Sequence, residues 1–454
     1  MTETQTTRTG RLTRRTALLA PLAPLASLAL SGCGLFGDWF GQHKTPLPGK
    51  REPVFAARRG LETDASAPKV VLPQAVRNAA WPQAAGNPAH LMGHLGANER
   101  LTEAWKVGIG DGAGYRQILM AQPVVLNGTV FTMDSDAVVS AFALSNGKRL
   151  WRADSKPKNA DSTNVGGGLG ADDTTLYAVN GLAQLVAYDT ATGKQKWRRD
   201  MGLPARSAPT IADGRLFVTT ITDQLLAFAA TDGRPLWNFQ ATSPITAMLG
   251  QPAPAYYRGL VIAGFGSGEL AALRAESGSV VWTDGLGASQ SRATVPDLLS
   301  IRGAPVIANG LVYAISMGGL LICDDVPTGR RVWERQVAGE DTPYVAGDWM
   351  FVISAQQQLA AIGIADGRVG WVAQLPRFED PKERKNTLTW YGPLLVGDRL
   401  IVTGTDRNAL SVSPYTGEIL GRLELSESPA PFAPVVADGT VLVLTNNARL
   451  IALR

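Results

Sequence analysis

The stretch Thr175-Leu176-Tyr177-Ala178-Val179, Leu185-Val186-Ala187-Tyr188-Asp189, Thr192-Gly193-Lys194, Lys196-Trp197-Arg198 decides the fold. It reads as three short strands of alternating character separated by tight turns. Gly193 can take a positive φ at little cost, and Trp197, a few residues into the following strand, is large enough to cover an adjoining sheet. A fourth strand precedes the three in most copies of the pattern. It is a Pro-Val-Val-like run at Pro123-Val124-Val125, Pro209-Thr210-Ile211, Pro305-Val306-Ile307 and Pro434-Val435-Val436, followed by Asn127-Gly128, Asp213-Gly214, Asn309-Gly310 or Asp438-Gly439. Those dipeptides are the turn chemistry of two-residue hairpins.

The unit recurs from Leu101 onward. Tryptophan falls at Trp105, Trp151, Trp197, Trp237, Trp282, Trp333 and Trp371, in steps of 38 to 51 residues. Glycine stands four residues before six of them, at Gly147, Gly193, Gly233, Gly278, Gly329 and Gly367. Four strands in about 40 to 45 residues is the pattern of a propeller blade. Units beginning near 121, 165, 206, 251, 303, 342, 391 and 432 make eight. The expectation is an all-β, eight-bladed propeller of four-stranded antiparallel blades over residues 101–454. The last unit ends at Leu450-Ile451-Ala452-Leu453-Arg454 without a tryptophan strand, whereas Leu101-Thr102-Glu103-Ala104-Trp105-Lys106 stands unattached before the first. Pairing these two ends would close the ring and remove exposed sheet edges. The seventh unit has Gly421 where tryptophan is expected, which predicts looser packing there.

Composition agrees with this reading. Among 454 residues, 45% are hydrophobic, enough for a large core, and 49 glycines with 28 prolines favour short elements over long helices. The formal charge is +4, and three of those four charges come from the first 32 residues, where Arg8, Arg11, Arg14 and Arg15 face one Glu3. That leaves no basic surplus to suggest a nucleic-acid partner.

The N-terminus has a basic stretch ending in Arg14-Arg15, an apolar run from Ala17 to Leu30, then small residues, the layout of an export signal over residues 1–32. The run is too short and too weakly apolar for a membrane span. Thr13-Arg14-Arg15 also resembles a twin-arginine signal, and the export route stays open. Leu30-Ser31-Gly32-Cys33 looks like a bacterial lipobox. The likeness implies that Cys33 is acylated and becomes the first mature residue, giving the several acyl chains that stable anchoring needs. In enterobacterial lipoproteins an aspartate after that cysteine signals inner-membrane retention. Gly34 at that place implies the periplasmic face of the outer membrane. Residues 33–100, rich in Pro, Gly, Ala and charge with no sustained period, read as a tether with docked pieces at most. Cys323 is the other cysteine and reads as a small core residue.

The aromatic-Asp-x-x-Thr-Gly-Lys-x-x-Trp pattern, clearest over Tyr188 to Trp197, resembles the repeat of pyrroloquinoline-quinone-like propellers over residues 101–454. Two branches share it. The dehydrogenases bring a calcium-held quinone, a vicinal cysteine pair and a much longer chain, whereas Cys33 and Cys323 are far apart. In lipobox, size and repeat number the chain is similar instead to the outer membrane assembly factor family, BamB. That resemblance implies a scaffold without catalysis or cofactor, which binds BamA and other barrel-assembly lipoproteins and assists unfolded outer membrane proteins. It also implies that the partner is held by loops after the third and fourth blades. Here these are Ser243 to Gln251, with Ile245, Thr246, Met248 and Leu249, and Ser291 to Arg302, with Asp297, Leu298 and Leu299. Both are apolar for connecting segments, as a binding surface would be, although loops folded back as plugs over the ring would read the same way. The family's arginine in the first loop is missing. A quinone or small ligand retained in the axial channel is the alternative.

Three further features read as structural. His90 and His94 have ligand-like spacing but lack nearby cysteines or clustered carboxylates, so no metal site is expected. Arg377 to Lys385 mixes both signs and reads as a solvated loop. Gly166-Gly167-Gly168-Leu169-Gly170 lacks the Lys-Ser or Lys-Thr of a phosphate loop and reads as tight strand turning.

Overall fold

The computed structural model describes residues 60–115, 117–158, 164–243, 250, 252–287, 299–425 and 428–454. Among them all regular structure is β, in eight four-stranded antiparallel sheets and one small hairpin. Seven blades are built from consecutive strands. The first is Val124–Leu126, Thr129–Met133, Val138–Ala143 and Arg149–Asp154, counted from the axis outward. Blade eight takes Val435–Ala437, Thr440–Leu444 and Arg449–Leu453 from the C-terminus and its outer strand, Glu103–Gly108, from before blade one. Trp105 pairs with Ala452 and Val107 with Leu450, so the chain ends close the ring as expected.

The reason for the recurring tryptophan lies in a cross-strand row. In blade one Val124, Phe131, Ala141 and Trp151 stand opposite one another on successive strands. Residues directly opposite share a face. The alanine is small enough for the outer rings to meet over it, with Phe131 and Trp151 centroids 5.8 Å apart. The same row runs Tyr177, Ala187, Trp197 in blade two and Phe217, Ala227, Trp237 in blade three. Blade five has Tyr313, Cys323, Trp333, so Cys323 takes the small position and is fully buried. Burial pushes its thiol up to about 12, leaving it uncharged.

Each tryptophan then crosses to the next blade. A Cβ on Gly193 would lie 2.6 Å from the Trp151 ring, and one on Gly233 2.5 Å from that of Trp197. Gly147, Gly278, Gly329, Gly367 and Gly417 lie in the same way under Trp105, Trp237, Trp282, Trp333 and Trp371. Trp105, Trp151, Trp237, Trp282, Trp333 and Trp371 also donate their indole N–H to a carbonyl of that neighbouring blade, at 2.7–3.0 Å. Gly421, at the tryptophan place of blade seven, meets nothing. Its counterpart would be a turn glycine in blade eight, where the outer strand is Glu103–Gly108 from before blade one and no turn joins it to Arg449–Leu453.

Residues 60–100 lie against the ring, which revises the tether expectation for that stretch. Gly60 to Val70 sit at the rim of blades five and six. There the buried Arg335 pairs with Asp64 and donates to Gly60 O at 2.9 Å, and Asp64 N donates to Val369 O at 2.9 Å. Val76 to Gly96 then follow a circuit beneath the innermost strands. Asn78 bonds Val436 of blade eight, Trp81 exchanges two bonds with Val125 of blade one, and Pro82 accepts from Ala171 of blade two. The Gln83 amide bonds both backbone groups of Ile211 in blade three. Pro88 accepts from Tyr256, Ala89 from Ile307, Gly93 from Tyr344 and Leu95 from Gly397, completing blades four to seven in order. The circuit closes on itself, since Val76 N donates to His94 O at 2.9 Å and Gly96 N to Val76 O at 3.0 Å. We call this segment the hoop. The charged segment after blade six is a surface hairpin, Phe378–Asp380 with Lys385–Thr387, where Asp380 accepts from the backbone of Lys382 and Glu383.

Candidate functional site

The connections after blades three and four are the partner-binding candidates from sequence. Ile245, Thr246, Met248, Leu249, Asp297 and Leu298 lie outside the described residues, as does Cys33. Their described roots are fixed to the ring. Thr242 N donates to Glu269 Oε2 at 3.0 Å before the first loop. The second leaves at Gly287 and returns at Leu299. Leu286 N donates to Gly268 O and Ile301 N to Phe265 O, and Ser316 Oγ donates to Leu286 O at 2.8 Å. Leu299 is half-buried, and its side chain lies over Gly318, where a Cβ would come within 2.9 Å of it. The seven repeat tryptophans belong to blade packing.

The innermost strands enclose an axial cavity of about 390 Å³, within the usual range of small-molecule sites. Its lining includes Trp81, Ala84, Ala85 and His90 of the hoop, which form a floor on the side away from the blade-connecting loops. His90 donates from Nδ1 to Pro305 O at 2.7 Å, and burial lowers its pKa to about 4, so it is neutral. His94 bonds Pro73 O and accepts from Asp398 N on blade seven. The two histidines thus serve different blades. The wall includes Gly167 and Gly168, and the glycine run is explained by packing: a Cβ on Gly168 would stand 2.7 Å from Ala208 Cβ in blade three.

Charge enters the cup from three blades. Arg302 pairs with Glu340 across blades five and six. Beside Glu340, Asp341 is half-buried. Burial first, and the Glu340 charge second, push its carboxyl up to about 8, so it is protonated at neutral pH. Tyr391 from blade seven has its hydroxyl pKa raised by burial and by these two acids. Arg206, from blade three, donates from Nη1 to Val165 O at 3.2 Å, while its buried Nε has no partner among the described residues. Burial lowers its pKa. The sequence singles out none of Arg206, Glu340, Asp341 and Tyr391, and offers Arg302 only as the end of the second loop. Their signal is position alone, since each falls within a few residues of the start of a blade.

Comparison with known proteins locates the chain. A family model described as outer membrane protein assembly factor BamB matches residues 135–373. BamB of Bordetella pertussis is 25% identical over 352 residues, covering 77% of this chain and 86% of that protein. The crystal structure of BamB from Moraxella catarrhalis has a TM-score of 0.66 at 18% identity, covering 78% of this chain and all of that one. Quinohemoprotein alcohol dehydrogenase from Comamonas testosteroni is similar in fold, with a TM-score of 0.64 at 14% identity over 84% of this chain and 81% of that one. The dehydrogenase shares the propeller, whereas the family match runs from blade one through blade six at sequence level, and on that ground the chain belongs to the BamB family of outer membrane protein assembly factors.

Proposed function

We propose that this protein is a non-catalytic scaffold of the β-barrel assembly machinery, held by acylated Cys33 on the periplasmic face of the outer membrane. The scaffold binds BamA and works beside the other assembly lipoproteins in the folding and insertion of outer membrane β-barrel proteins. The observation that carries this reading is the family match over residues 135–373, with a BamB relative aligned over 77% of this chain and 86% of that protein. The structure adds a physical reason for loop-based binding. The hoop occupies the innermost strands on one face, and this reading places the partner on the blade-connecting loops of the other.

Pull-down of the tagged, full-length lipoprotein from its own membranes in mild detergent tests the reading. Recovery of BamA with its partner lipoproteins is the expected result, and recovery of the propeller alone removes it. Changing Met248 and Leu249 to aspartate is expected to weaken the BamA contact by more than about 1 kcal/mol, the scale of central interface residues. Unchanged co-purification of that variant would move the contact to another face.

A further inference from the structure

We propose that the axial cup is a binding site for a small amphipathic carboxylate, anchored by the guanidinium of Arg206. The argument starts from charge. Arg302 is compensated by Glu340, and Asp341 stands beside that pair within reach of the same cation. That leaves Arg206, a half-buried cation in the cup wall whose described side-chain bond goes to one carbonyl and which has no acid partner among the described residues. A partly desolvated cation is steadied by a counter-ion, and a carboxylate is the group whose two oxygens fit guanidinium donors. Shape gives the rest of the ligand. The hoop closes the floor, so the cavity is a blind cup. Tyr391 and Leu394 come from blade seven, diametrically opposite blade three, and offer aromatic and aliphatic wall facing across the axis. A ligand with one carboxylate and a short apolar body satisfies both sides.

The test is isothermal titration of the intact lipoprotein in detergent at pH 7 with sodium 2-naphthoate and, separately, with uncharged 2-naphthamide. The expected result is saturable one-to-one binding of naphthoate, with the amide about tenfold weaker, equivalent to about 1.4 kcal/mol. Arg206→Met is expected to weaken naphthoate about tenfold while leaving the amide unchanged, a split that general damage to the fold would not produce. Removing this partly desolvated cation is also expected to leave the melting temperature equal or higher. Arg206→Lys, which keeps the charge, restores part of the naphthoate affinity and serves if the methionine variant fails to fold. Absence of saturable naphthoate binding to the wild type overturns the proposal. So does equal naphthoate affinity in wild type and Arg206→Met.

Discussion

The glycine beneath each tryptophan is held by two separate constraints, and they can be measured apart. Gly233 has φ +70° and a ring edge 2.5 Å from where a Cβ would stand, whereas Gly214 has φ +67° and nothing near it. The left-handed conformation costs an ordinary residue about 1–2 kcal/mol, and overpacking adds about 1–3 kcal/mol. Gly214→Ala is therefore expected to lose only the conformational part, and Gly233→Ala roughly double that or more, by urea denaturation. Equal losses would mean that the ring yields freely and that the stacking is incidental. The companion substitution, Gly421→Trp, is expected to change stability by less than about 0.5 kcal/mol, as surface changes usually do. No turn glycine in blade eight waits to be covered, and a gain comparable with the other stacked pairs would contradict that account.

Among elements, the hoop is the one whose bonds are spread most thinly. Gln83 is buried and satisfies both backbone groups of Ile211, so Gln83→Ala leaves a donor and an acceptor unpaired. The expected loss in denaturant unfolding is about 2–4 kcal/mol, from roughly 1–3 kcal/mol for each buried group left without a partner. A loss near zero would show water replacing the amide. His90 adds a pH signature. Its pKa falls from 6.5 to about 4 on folding, so the unfolded chain binds more protons between those values. Stability from this group is complete above pH 6.5 and is lost as pH falls toward 4. Thermal unfolding of His90→Gln is expected to show a shallower decline over that window than wild type. The blades were legible in the sequence because one local motif is repeated, and Trp151, Trp197 and Trp237 each mark the same place in it. The hoop was not, because Asn78, Gln83 and His90 each answer to a different blade, and a circuit has no period of two or 3.6 to betray it. Arg206 and Asp341 were illegible for a related reason: nothing local distinguishes a charged residue that will face the axis from one that will face water.

At the scale of the whole molecule, closure depends on few residues. Arg449–Leu453 is the strand between Thr440–Leu444 and Glu103–Gly108, and Arg454 donates to Leu144 O and Ser145 O of blade one and to Thr440 Oγ1. Deleting Leu450 to Arg454 removes five residues but also strands Glu103–Gly108 and Trp105. The expected result is loss of a single cooperative urea transition and rapid proteolysis near residue 108, far from the deletion. Retention of one sharp transition would show that the hoop alone can hold the ring shut. That hoop has a consequence in time as well as in space. It lies before every blade in the chain, yet its first bond after Arg77 reaches across 358 residues, from Asn78 to Val436. During synthesis it emerges first and must wait, unsatisfied, until the last blade exists. Contacts so distant in sequence slow folding, and a chain stopped short of its C-terminus exposes an unfinished N-terminal segment. Completion of the C-terminal blade is thereby reported at the opposite end of the ring's own sequence, in the segment that precedes its first strand.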